Sequence, residues 1–180
     1  MTKYIIMSSI LLFTKTVAKS EVEFNTHKQS VDVIDVIPQK TTKQFMDSVA
    51  FKESSMIIDI VNKYGMLGKY QFSRTTLNGI GYENVSSKEF LSDETLQDKA
   101  MLTLMKRNEK TLRNLITEHD NDTINGIHIT HSGILAAAHL AGAGGVKRWF
   151  RTQGKQTRID GFGTSIETYM KKFANYKIKI

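Results

Sequence analysis

The sequence predicts a mostly α-helical domain built around one long central helix, with little or no β structure. Three observations carry this. From Thr95 to Glu118, apolar residues recur at Leu96, Ala100, Leu104, Leu112, Leu115 and Ile116, the spacing of an amphipathic helix. Ser92-Asp93-Glu94 stands in front of that run, as a helix start requires. Gly133 to Phe150 is rich in alanine and is interrupted by Gly142-Ala143-Gly144-Gly145. That composition predicts a closely packed helix that ends at the glycines, with another starting at Val146.

The other elements follow in order. Lys3, the apolar run Tyr4 to Phe13 and Ala18-Lys19-Ser20 have the three parts of a secretory signal over residues 1–20, with cleavage after Ser20. The apolar run is too short to span a bilayer. Residues 21–43 read as a linker or loosely packed segment. Within it, Val31 to Ile37 alternates in part ahead of Pro38, the one proline, which suits a short edge strand. Residues 44–180 form the folded domain. Thr41-Thr42 caps a helix through Phe45, Met46, Val49, Ala50 and Phe51, and Phe45, Val49 and Glu53 fall on one stripe of it. A short helix follows from Thr75, ending at Gly79 or Gly81, and then a polar stretch from Glu83 to Phe90. His119 to Asn125 is a polar turn, and Ser132 caps the alanine-rich helix. Residues 152–163 form a glycine-punctuated loop long enough to border a cleft. Thr164-Ser165 starts the last helix, through Tyr169, Met170, Phe173 and Tyr176. The final Lys177-Ile178-Lys179-Ile180 is expected to fray.

Composition narrows the function. There is no cysteine among the 180 residues, which removes disulfide scaffolds, thiolate zinc sites and cysteine nucleophiles. The net charge of +7 falls to +4 when Lys3, Lys15 and Lys19 leave with the signal. That mild excess suits an anionic wall polymer. Nucleic-acid binding would call for basic residues interleaved with aromatics on one face, and export argues against it, so no nucleic-acid partner is expected. A helix-turn-helix is disfavoured because Lys147 and Arg148 follow the glycine turn and do not line the helix before it. His119, His128 and His131 lack a carboxylate or cysteine at ligand spacing, so no metal and no cofactor is expected.

One carboxylate stands out. Glu53 ends an apolar segment and is followed by Ser54-Ser55, then Asn62, Gly65, Gly68 and Tyr70-Gln71. Apolar surroundings disfavour the charged form of a carboxylate, which is what a general acid needs. Gly68 allows close backbone approach. Tyr70 and Gln71 offer a hydroxyl, an amide and a flat apolar face, the mixture that binds sugars. Taken alone, the helix pattern is equally met by a solvated Glu53, and Tyr70 and Phe72 are equally met by core positions.

The pattern Glu53-Ser54-Ser55, Val61-Asn62 and Gly65-x-x-Gly68-Lys69-Tyr70-Gln71-Phe72 resembles the lysozyme-like superfamily, and within it soluble lytic transglycosylases and goose-type lysozymes. A second motif, Ala138 to Val146, is similar to the Ala-Tyr-Asn-Ala-Gly-x-Gly-x-Val of the transglycosylases. The resemblance spans Gln44 to Tyr176. It implies a lysozyme-like fold and cleavage of the MurNAc–GlcNAc bond of peptidoglycan, with Glu53 as catalytic acid. It also implies Ser54, Ser55, Asn62, Gly68, Tyr70, Gln71, His139, Gly142 and Tyr169 as substrate-binding or Glu53-orienting residues. Gln97 and Asp98 match polar residues at the start of the family's long helix. His139 stands where the family has tyrosine and Leu140 where it has asparagine, so one polar sugar contact is missing from its usual place.

A hydrolase of this kind needs a second carboxylate. Asp59 is the one acid between Glu53 and Glu83 and sits in the turn. The acids that goose-type lysozymes place after the catalytic glutamate have no counterpart. A lytic transglycosylase needs one acid, because the sugar's own 6-hydroxyl closes a 1,6-anhydro ring. The expectation is therefore an exported lytic transglycosylase, periplasmic or secreted, whose partner is the peptidoglycan glycan strand. No stable membrane insertion is expected after signal removal, and an envelope or secretion-machinery partner is left open. Two alternatives stand beside it: a muramidase using Asp160 as second carboxylate, and a non-catalytic wall-binding module of the same fold.

Overall fold

The computed structural model describes residues 40–157, 159, 161 and 163–180. The leader 1–20, the linker reading over 21–39, the edge strand at 31–37 and Asp160 lie outside the described residues. The described chain is mostly helical: α1 (Thr42–Ser54), α2 (Arg74–Gly79), α3 (Ser87–Ser92), α4 (Glu94–His119), a hairpin of β1 (Thr123–Ile124) and β2 (Ile127–His128), α5 (His131–Arg151) and α6 (Ile166–Lys172).

Helix α1 starts as its sequence requires. Thr41 accepts from the Gln44 backbone N–H at 3.3 Å while the Gln44 side chain accepts from the Thr41 N–H at 2.8 Å, a reciprocal capping box. Phe45, Met46, Val49 and Ala50 form the buried face. Phe51, one position off that stripe, is 65% exposed. The helix ends at Ser55, which is left-handed at φ 56°.

Helix α4 is the long helix the periodicity predicts. Asp93 is its N-cap, accepting from Leu96 N–H at 2.9 Å. Its buried stripe runs Gln97, Ala100, Met101, Leu104, Met105, Asn108 and Leu112, spaced by three and four residues. Helix α5 packs against both α4 and α6. Trp149, fully buried on α5, donates its indole N–H to Glu167 at 2.5 Å and so ties α5 to α6.

Two buried apolar groups result. One gathers Phe45, Val49, Tyr70, Phe72, Leu77, Phe90, Met101, Leu104 and Phe173. The other gathers Leu112, Ile127, Ile134, Ala138, Ala141, Trp149, Ile166 and Met170. Helix α5 contributes to both, with Leu135 and Ala136 in the first and Ala137 and Ala138 in the second.

Several expectations are corrected. The polar turn after α4 contains a short antiparallel hairpin with Ile124 opposite Ile127. The Asn125-Gly126 pair between the strands is a strong hairpin signal, and Asn125 has the positive φ (52°) such turns demand. Thr130, not Ser132, caps α5, accepting from Gly133 N–H at 3.1 Å. Ser132 is fully buried and donates to the Phe173 carbonyl at 2.6 Å. The glycine cluster does break the helical run, at Gly142 (φ 70°, ψ 160°), a conformation open to glycine at low cost, but the second helical segment begins before Val146, so α5 spans both segments across a kink. Ser86 caps α3 within the stretch read as merely polar. Helix α6 stops at Lys172, one turn before Tyr176. The C-terminal residues are pinned rather than frayed: Lys177 N–H donates to the Lys40 carbonyl at 2.7 Å and Lys179 N–H to Thr42 Oγ1 at 2.9 Å.

Candidate active site

Glu53 stands in the last turn of α1, and its side chain is 18% exposed. The Tyr169 hydroxyl, from α6, donates to Glu53 Oε1. His139, from α5, places Nε2 3.9 Å from the same oxygen. That nitrogen also lies 2.9 Å from the Tyr70 carbonyl oxygen. A carbonyl only accepts, so Nε2 carries a hydrogen. Nδ1 is buried with no hydrogen-bond partner. Three helices thus converge on one carboxylate, whose Oε1 is held while Oε2 has no protein partner among the described residues.

The loop after α1 is shaped by a tight turn. Leu67 and Phe72 exchange backbone hydrogen bonds at 2.8 and 2.9 Å, and Gln71 N–H donates to the Gly68 carbonyl at 3.0 Å. Gly68 fits because a Cβ there would lie 2.3 Å from Gln97 Oε1. Gln97, fully buried, accepts from Lys69 N–H at 2.8 Å and donates to the Ile58 and Phe90 carbonyls at 2.8 and 2.9 Å. Lys69 is 1% exposed and pairs with Glu94 at 2.8 Å and Asp98 at 2.7 Å. Burial alone would lower its pKa. The carboxylates of Asp98 and Glu94 outweigh that and hold it above the usual 10.5. Tyr70 donates to Asp98 at 2.6 Å, and burial, then the Asp98 carboxylate, push its phenol well above the ordinary 10.0.

A cleft of about 390 Å³ opens beside Glu53, within the size range of small-ligand sites. Five of the residues expected from the sequence line it: Glu53, Asn62, Gln71, His139 and Gly142. Asn62 spends its Oδ1 on the Tyr64 and Met66 N–H groups at 2.8 and 3.1 Å, which leaves its NH₂ for a ligand. Gln71, at φ 53°, turns its amide back onto the Gly68 carbonyl at 2.8 Å. Tyr169 reaches the site through Glu53.

Tyr169 is not itself among the residues lining the cleft, and four other expected substrate contacts do not line it either. Ser54 is buried and donates to the Lys69 carbonyl at 2.9 Å, locking the end of α1 to the loop. Ser55 is an exposed helix cap. Gly68 is covered by Gln97, and Tyr70 is fully buried with its hydroxyl on Asp98. These residues build the platform from beneath. Asp160 lies outside the described residues, although its neighbour Gly161 borders the cleft.

The structure also brings in residues that sequence reasoning passed over. Ser73 and Thr76, at the start of α2, line the cleft, as do Leu104 and Asn108 of α4. Tyr64 closes the rim, donating to the Gly161 carbonyl at 3.3 Å. Asn108 had a legible signal: it interrupts an apolar stripe midway between Leu104 and Leu112. Lys69 had none, since a lysine in a glycine-flanked loop reads as exposed.

No family model matches the chain, and no curated protein or solved structure is significantly similar to it.

Proposed function

We propose that the protein is an exported peptidoglycan-cleaving enzyme of lysozyme-like type, acting as a lytic transglycosylase with Glu53 as its single acid and base. The observation that carries this reading is the placement of Glu53. It is the one carboxylate among the described residues lining the cleft, held by Tyr169 through Oε1. Protonated at Oε2, Glu53 gives its proton to the glycosidic oxygen as the C1–O bond breaks. The resulting carboxylate then takes the proton of the sugar's 6-hydroxyl as that oxygen bonds to C1. The product is a 1,6-anhydro sugar and the enzyme returns to its starting state, so no activated water is required. Tyr169 fixes the carboxylate's orientation. His139 packs beside it with its Nε2–H committed to the Tyr70 carbonyl, which makes it a positioning group rather than a proton carrier.

The test is mass spectrometry of purified peptidoglycan incubated with the protein and with Glu53→Gln. Anhydro-muropeptides from the wild type, reduced by about 10²–10⁴-fold in the variant, are expected for loss of a general acid. Products carrying an added water would overturn the transglycosylase mechanism in favour of hydrolysis. No products from the wild type, with binding to sacculi retained, would overturn the enzyme reading.

A further inference from the structure

The C-terminal halves of α4 and α5 carry positive charge that nothing nearby balances. On α4, Lys110 has Lys106 four residues before it, Arg107 three before it and Arg113 three after it. On α5, Arg151 follows Lys147 by four residues and Arg148 by three. Residues at these spacings are neighbours on a helix surface, and like charges there are destabilising. No acid stands three or four residues from Lys110, Lys147 or Arg151. Among the described residues none of these three makes an ion pair, and the nearby acids are engaged elsewhere: Glu109 lies 3.1 Å from His131 Nε2, Glu118 3.8 Å from His119 Nε2 and Asp122 2.9 Å from His119 Nδ1. The carbonyls at the end of α5 do not need the cations either. Those of Arg148, Trp149 and Phe150 accept from the Thr152, Gly154 and Gln153 N–H groups at 3.0, 2.9 and 3.0 Å.

The charges meet in one hollow. Lys110, Lys147 and Arg151 line a cavity of about 550 Å³, in which Glu118 is the one carboxylate among the described residues. Its lining shares no residue with the cleft beside Glu53. One wall is apolar: Leu115, and the Phe150 ring stacked on His119 at 4.8 Å and 15°. Excluding water on that side strengthens the pull of the cations on an anion. Three cations against one carboxylate exceed what a ligand carboxylate, with a single charge, would balance. A phosphate brings up to two charges and three acceptor oxygens. The Arg151 fork can engage two of those oxygens in parallel, while the lysines act as point charges. An anion seated there also relieves the repulsion within each helix. We propose that this hollow is a phosphate-binding site, separate from the Glu53 cleft and independent of the reaction assigned to it. Lys110, Lys147 and Arg151 hold the ligand, a phosphate mono- or diester that is free, part of a polymer or carried on a lipid headgroup.

The experiment titrates the isotope-labelled full chain with sodium phosphate, at an ionic strength held constant with sodium chloride, and follows backbone amide resonances. Those of Thr111, Asn114, Lys147 and Arg151 should shift saturably, with a Kd of about 1 mM or tighter. Sodium acetate should bind about tenfold more weakly or less. The double variant Lys147→Gln/Arg151→Gln should weaken phosphate binding about tenfold or more. Its melting temperature should stay at or above that of the wild type, because the like-charge pair is removed with the site. Lys110→Gln gives an independent second variant on the other helix, and Glu53→Gln should bind phosphate as the wild type does. Long-chain polyphosphate and vesicles of phosphatidylglycerol in phosphatidylcholine separate the sources. A gain of about tenfold or more over inorganic phosphate with one of them, lost in the double variant, identifies the polymer or the headgroup. No gain with either identifies a small phosphorylated ligand. The assignment is overturned by shifts that stay linear in phosphate, by acetate binding as tightly, or by a phosphate affinity unchanged in both the double variant and Lys110→Gln. A double variant that melts well below the wild type would make the cations structural and overturn it as well.

Discussion

Helix α4 buries two side-chain amides eleven residues apart on one face, and they live in opposite conditions. Gln97 is fully buried and makes three hydrogen bonds, to Lys69, Ile58 and Phe90. Asn108 is nearly as buried and makes none among the described residues. The first is a construction element: it occupies the space over Gly68, satisfies the loop backbone and sits beside the Lys69–Glu94–Asp98 ion cluster. The second faces a cleft that also contains Glu53. A saturated polar group rigidifies, and one that opens onto a cleft is available for binding. The loop that the family resemblance marks as a sugar platform is, on its inner side, of the first kind. Tyr70 and Ser54 hold it up, and Gln71 and Asn62 present it.

This contrast sets an order of expected effects. Gln97→Leu should be the most damaging to the fold. It strands the Lys69 N–H and two carbonyls in the interior, for a loss of roughly 3–5 kcal/mol, and chemical denaturation would measure it. A loss below about 1 kcal/mol would mean that water reaches those groups and would weaken the contrast. Tyr169→Phe removes one hydrogen bond to Glu53. It should lower kcat by about tenfold with little change in KM, while stability falls by about 1 kcal/mol. A KM effect alone would make Tyr169 a substrate contact instead.

The ion cluster makes a prediction about pH. Lys69 and Tyr70 both hold their protons more tightly in the fold than in the unfolded chain, whose ordinary values are 10.5 and 10.0. Their contribution to stability is complete below those values and declines as pH rises past them toward the higher folded values. Urea midpoints measured from neutrality to about pH 11 should therefore fall on the alkaline side. Glu167 works in the other direction. Burial would raise its carboxyl, but hydrogen bonds from Thr157 and Trp149 outweigh that and hold it below its usual 4.5. Its contribution is present above that value and is lost as the pH falls through the lower folded value. The smallest stability effect belongs to Asn108→Leu, between no change and a gain of about 1 kcal/mol. A clear loss of stability would show that Asn108 has a structural partner after all, and its resemblance to Gln97 would be restored.

The parts of the fold that were legible in advance are those with local causes. Helix α4, its Asp93 cap, the cap at Thr41 and the break at Gly142 all follow from periodicity and from side chains that bond within a few residues. The errors fell where a distant group decided. Ser132 looked like a cap because it stands before an apolar run, but Phe173 claims its hydroxyl from forty-one residues away. The C-terminal tail looked free because its partner, the start of α1, lies at the other end of the described chain.

The candidate site divides in the same way. By itself the sequence determined that a carboxylate ends α1, that a glycine-bearing turn with Asn62 and Gln71 follows it, and that α5 breaks near His139. Local pattern is enough for these, because each depends on backbone preferences of the residues themselves. Only the tertiary structure decided that α1, α5 and α6 meet at Glu53 Oε1, that Tyr70 and Ser54 turn inward, and that Asn108 opens into the cleft. Those outcomes depend on which side chains fill the space between helices, and packing between residues distant in the chain leaves no periodic trace in the sequence.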